Sequence, residues 1–111
     1  MLMEKVILYS SDTPDIKILI QIFFNENEEL FFDGYDVGKN VKSFWGTNGY
    51  EYAYIIQPIE VDKLYPLLNI NIGDKQGLLN EIKNKFGGNN AYSKFGEFML
   101  ANDIDYKTGN Y

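Results

Sequence analysis

The residues best equipped for chemistry in this sequence are carboxylates. Between Lys17 and Lys39 stand five acids, Glu26, Glu28, Glu29, Asp33 and Asp36, with no basic residue among them. Acids in this number could hold a cation, work as an acid and base pair, or face a basic surface. Asp33-Gly34-Tyr35-Asp36 lacks the D-x-[DN]-x-[DN]-G spacing and distant Glu of a calcium loop, so a turn with side-chain to backbone bonds is expected there. Glu29, Asp33, Asp36 and Glu51 are of the right type for a glycosidase pair, but that chemistry needs a cleft for which 111 residues leave little chain. Gly34 and Gly38 do not stand in G-x-G-x-x-G, and no G-x-x-x-x-G-K-[ST] occurs, so no phosphate cradle is expected. A solvated loop would carry the same acids. A docking edge for a basic partner is the sharper expectation.

The absent residues narrow the chemistry further. All ten basic residues are Lys, and the sequence contains no Arg, His or Cys. Without Cys there is no disulfide, thiolate nucleophile or cysteine zinc site. Without His there is no ordinary neutral-pH base and no imidazole ligand, and without Arg no bidentate clamp for phosphate. The expectation is therefore a non-enzymatic protein with no cofactor and no metal. Sixteen acids against ten Lys leave a net charge of −6. Such a chain is repelled by nucleic acid and by anionic membranes, whereas a basic protein surface attracts it and speeds encounter. Val6 to Leu8 is too short an apolar stretch for a signal peptide or a membrane span, so a cytoplasmic protein is expected.

The elements that must position these residues follow from hydrophobic period. With 45% hydrophobic and 16% aromatic residues, residues 1–111 are expected to fold as one α+β domain. Residues 5–10 read as a first strand closed by Ser10-Ser11-Asp12-Thr13-Pro14. Ile16, Ile18, Ile20 and Ile22 alternate around Lys17 and Gln21, which is a strand with one inner face. Asn25 to Glu28 is a polar turn, and Glu29 to Asp36 returns as the second arm of a hairpin. Val41, Phe44 and Trp45 predict a short helix over Gly38 to Gly46, and Tyr50 to Gln57 a strand with Tyr50, Tyr52 and Tyr54 on one side. Phe32, Phe44 and Trp45 are expected in the core. Glu60 to Asn69 is helix-like with Pro66 as a kink, Asp74 and Asn90 can cap two further helices, and Gly87-Gly88 separates them. Ile104 to Tyr106 suggests an edge strand, with residues 107–111 a tail that frays. Strands first and helices afterwards predict an antiparallel sheet with helices packed mainly on one face.

Gly34-Tyr35-Asp36-Val37-Gly38, Val41, Phe44-Trp45-Gly46 and Tyr50-Glu51-Tyr52 give the middle third a specific look. Over residues 30–57 it resembles the small acidic immunity proteins of bacterial contact-dependent growth inhibition and related polymorphic toxin systems. The resemblance implies a toxin inhibitor encoded beside its cognate toxin, which binds a basic, often nucleolytic toxin domain and blocks its active site or substrate surface. From the residues themselves, the partner-binding set is expected to be the acids Glu26, Glu28, Glu29, Asp33 and Asp36 with the aromatics Tyr35, Tyr50, Tyr52 and Tyr54, because interfaces combine aromatic anchors with a charged rim. Three tyrosines on one strand face also allow a different function, a small metabolite-binding or regulatory module using that face.

Overall fold

A computed structural model of the chain describes residues 5–14, 16–38 and 50–110. The described residues form β1 (Val6–Asp12), β2 (Ile16–Phe24), β3 (Leu30–Gly38), β4 (Tyr50–Ile56), α1 (Pro58–Leu67), α2 (Lys75–Phe86), α3 (Ala91–Ala101) and β5 (Lys107–Asn110). The strands make one antiparallel sheet in chain order, β1-β2-β3-β4-β5, with all three helices inserted between β4 and β5. The expected α+β class is what the chain adopts.

Local chemistry explains the turns. Thr13 closes the first hairpin by bonding both the N–H and the carbonyl of Ile16 through its hydroxyl, at 3.1 and 2.9 Å. In the second, Asn25 Oδ1 accepts the backbone N–H groups of Asn27 and Glu29 at 3.0 and 2.9 Å, and Glu28 takes the left-handed conformation at φ 61°. The expected α1 forms with Pro58 in its first turn and Pro66 in its last, where the ring limits propagation, and Asn69 at φ 59° follows its end. Asp74 caps α2 as expected, its Oδ1 accepting Gly77 N–H at 3.0 Å. Asn90 stands at the N-cap of α3 but makes no side-chain cap bond. Among the described residues no helix is long and apolar enough to cross a membrane.

Two expectations are corrected and one lies outside the described residues. Gly38 ends β3 instead of starting a helix, and the rest of the expected helix, with Phe44 and Trp45, falls in the undescribed 39–49 segment. The expected tail is an edge strand: Lys107–Asn110 pairs with β4, while Ile104 to Tyr106 is the irregular approach to it. Glu60 anchors that approach, since its Oε1 accepts both Asp105 N–H at 2.9 Å and Lys63 Nζ at 2.8 Å, while Lys63 Nζ reaches the Asp103 carbonyl at 3.3 Å. These donors hold the Glu60 carboxyl below its usual range.

One hydrophobic cluster joins Ile20, Ile22 and Phe24 of β2 and Leu30 and Phe32 of β3 to the buried side chains of all three helices. Phe32, as expected, is fully buried, and its ring stacks on Phe95 of α3 at 4.5 Å. Each such large side chain contributes about 1.5–3 kcal/mol through removal of apolar surface from water.

Candidate functional site

Side chains alternate across a strand, so cross-strand register sorts every described sheet residue onto one of two faces. The inner face, which belongs to the core, carries the rows Val6, Ile22, Phe32, Tyr54 and Ile20, Gly34, Tyr52. The outer face carries three rows. Its middle row is Ile7, Gln21, Asp33, Ala53 and Gly109, one residue from each strand. On one side lies Phe23, Phe31, Ile55 and Lys107, on the other Ser10, Leu19, Tyr35 and Glu51. No side chain of these outer rows belongs to the core cluster.

An antiparallel sheet with one solvated face ordinarily alternates apolar inside with polar outside. Here the outer face is largely apolar as well. Leu19, Phe23, Phe31, Tyr35 and Ile55 are half-buried, and Ile7 is 49% exposed. Phe23 stacks on Phe31 at 5.3 Å, and Lys5 Nζ rests 4.8 Å from the Phe23 ring centre. Because flanking rows stand about 7 Å away along the strands on either side, large side chains border a middle row that is small at Ala53 and Gly109. Ala53 in that row is fully buried. Asp12, Lys17, Glu51 and Lys107 supply charges of both signs around the face.

Asp33 stands in the middle of that row. Its Oδ2 accepts Gln21 Nε2 at 3.2 Å, while Oδ1 is closed off from water and receives no hydrogen bond from the described residues. Burial pushes the Asp33 carboxyl above its usual range, against the opposing pull of the Gln21 bond and the Lys5 charge.

The residues expected to bind a partner do not form one surface. Glu26 is exposed at the β2–β3 turn. Glu28, beside it, pairs with Lys75 of α2 at 2.6 Å, which holds its carboxyl below the usual range. Glu29 is tied down by Asn25 Nδ2 at 2.8 Å and Gln57 Nε2 at 2.7 Å, and the two bonds lower its pKa, so this acid braces the turn against the end of β4. Asp36 lies about 24 Å further along the extended chain, on the inner side of β3, where its Oδ1 accepts the Tyr52 hydroxyl at 3.1 Å. Asp33 and Tyr35 of the expected set stand in the outer rows.

The tyrosine face is revised for the same reason. Tyr52 and Tyr54 share a face as expected, but it is the face toward the helices, and both are half-buried. Tyr54 stacks on Tyr92 of α3 at 4.0 Å and meets Tyr106 edge-on at 4.8 Å, while Tyr52 meets Tyr92 edge-on at 4.6 Å. Burial raises the Tyr54 hydroxyl pKa. Two glycines make room: a Cβ on Gly34 would run into the Tyr52 ring, and one on Gly96 into the Tyr54 hydroxyl. Of Tyr50 only the backbone is described, paired with Asp36.

No protein-family model, curated protein or solved structure matches this chain. Sequence reasoning missed Ile7, Leu19, Gln21, Phe23 and Ile55. The signal was present in β2, where Leu19 and Phe23 occupy positions that a wet face would give to polar residues. Among the described residues there is no group of three or more acids poised to hold a metal ion.

Proposed function

We propose that this is a non-enzymatic binding protein that docks a basic protein partner through the outer face of its sheet. The observation that carries the reading is the outer face itself, where the large apolar side chains Leu19, Phe23, Phe31, Tyr35 and Ile55 are half-buried, lie outside the core cluster and are framed by charges. Contiguous apolar surface of this kind marks interaction sites, and an aromatic centre with a polar rim is the usual make-up of a protein interface. The net charge of −6 favours a cationic partner. Together with the resemblance of residues 30–57, this makes an immunity protein against a cationic nuclease toxin the most concrete form of the proposal. Inhibition is then occlusion: the flat sheet covers the toxin's active site or substrate surface, and exposed acids such as Glu26 steer the encounter. A metabolite module on the tyrosine face has less support, because Tyr52 and Tyr54 are already packed against Tyr92.

Binding kinetics with the protein encoded beside this gene test the proposal. Phe31→Glu, checked for folding by circular dichroism, is expected to weaken the complex about 30-fold or more, as loss of an interface anchor does. Ile59→Glu, at a helix position that is 74% exposed, is expected to leave affinity unchanged. Wild-type affinity in the folded Phe31→Glu variant would overturn the outer-face assignment.

A further inference from the structure

We infer that Asp33 is the receptor for an arginine side chain of the partner, whose guanidinium stacks against Phe31 and Tyr35. The inference rests on the docking role of the outer face and names what that face recognises. Asp33 stands at the centre of the middle row, with Phe31 and Tyr35 two residues away on either side along the same face. The Gln21 bond satisfies Oδ2, whereas Oδ1 is withdrawn from water with no donor among the described residues. A buried carboxylate oxygen without a donor opposes folding, and its place at the centre of an apolar face is where a partner's donor would be best rewarded. The carboxylate turns about its last bond with little restriction, so Oδ1 can swing outward to meet an incoming group.

The chemistry of the surroundings selects arginine. A guanidinium is planar, weakly hydrated and stacks on aromatic rings, so it can lie against Phe31 and Tyr35 while its N–H groups reach Asp33. Gln21 donates through Nε2, which leaves its side-chain carbonyl as a second acceptor beside Asp33. An ammonium would form one bond and bring a more tightly held hydration shell. A hard divalent cation needs six or more oxygen ligands, and a single carboxylate with one amide falls short. The intramolecular rival is Lys5, whose charge already acts on Asp33 but whose Nζ rests over Phe23.

The probe is n-butylguanidinium, with n-butylammonium and neutral n-butylurea as comparisons, titrated into the full chain while the carboxyl carbon of Asp33 and the rings of Phe31 and Tyr35 are followed by NMR. The expected result is a saturable shift at all three with butylguanidinium in the millimolar range, roughly threefold or more weaker with butylammonium, and none with butylurea. Asp33→Asn is expected to abolish it while the variant stays folded. Unsaturable shifts spread equally over Glu26, Asp12 and Glu51, or the same response in Asp33→Asn, would overturn the inference. So would a guanidinium response that appears only after Lys5→Ala, since Lys5 would then be the occupant. None of these results touches the docking role of the outer face, which the Phe31→Glu and Ile59→Glu kinetics decide separately.

Discussion

The two faces of this sheet are built from nearly the same residue types and do different things. Phe32 and Phe31 are neighbours in β3, yet Phe32 is fully buried against Phe95 and Phe31 is half-buried beside Phe23 on the outside. Tyr52 and Tyr54 lie inside against Tyr92, whereas Tyr35 lies outside opposite Glu51. Inside, polar atoms find partners, as the Tyr52 hydroxyl does on Asp36. Outside, Asp33 keeps an oxygen away from water without one among the described residues. Aromatic content therefore does not distinguish a core from a binding face; completeness of packing and of hydrogen bonding does.

The comparison breaks most sharply at the phenylalanines. Phe32→Ala is expected to cost about 3–5 kcal/mol in denaturant unfolding, the range for deleting a fully buried ring, and Phe31→Ala about 1 kcal/mol or less because that ring is only half-covered. Affinity is expected to reverse the order, with Phe31→Ala the more damaging in molecules that remain folded. Equal stability losses would erase the distinction between the faces.

Next in size is Gly34→Ala. The added methyl meets the Tyr52 ring, which must lift from Tyr92 and release Asp36. Overpacking of this kind costs typically 1–3 kcal/mol. Unfolding measurements should show the loss, and NMR should show the Tyr52 and Tyr92 ring signals moving together.

Asp33→Asn tests the opposite face with the opposite sign. The Asp33 pKa is raised in the folded protein, so its unfavourable contribution is absent below the unfolded carboxylate range and grows as pH rises through the folded value. Asn carries no charge, so the variant should be the more stable at neutral pH, by about 1 kcal/mol for a half-covered group or about 4 °C in Tm, and should match wild type in acid. A gain in stability joined to a loss of binding is the signature of a functional residue held at a cost to the fold. A variant destabilised at neutral pH would make Asp33 structural.

How much of this was legible beforehand depends on the kind of information each feature needs. The alternation of Ile18, Ile20 and Ile22, the polar Asn25 to Glu28 turn and the Asp74 cap are local signals, and strands, hairpin and helix follow from them. Parity likewise groups Tyr52 with Tyr54 correctly. It cannot say which face the helices cover, because that depends on Tyr92 and Phe95, about forty residues away in sequence. The edge strand β5 has four residues, KTGN, with no hydrophobic period, and is held by its register on β4 and by the Glu60 anchor. The acids were legible as a run of charge but not as a surface, since Glu28 and Glu29 are drawn into bonds with Lys75, Asn25 and Gln57.

The smallest expected effect concerns that run. Glu26→Lys leaves both faces intact, so it should slow association with a basic partner a few-fold at low salt and hardly alter dissociation. The difference should shrink as salt rises. Stopped-flow kinetics at two ionic strengths check this, and an effect confined to dissociation would place Glu26 inside the contact.

The most direct measurement of the central claim is methyl NMR of isoleucine and leucine with the partner bound and a soluble paramagnetic agent present. Ile7, Leu19 and Ile55 report the outer face, and Ile20, Ile22 and Ile56 serve as buried internal controls. The account predicts that the outer methyls, bleached by the agent in the free protein, become protected in the complex while the inner methyls stay unchanged. Outer methyls that remain bleached in a saturated complex would contradict it.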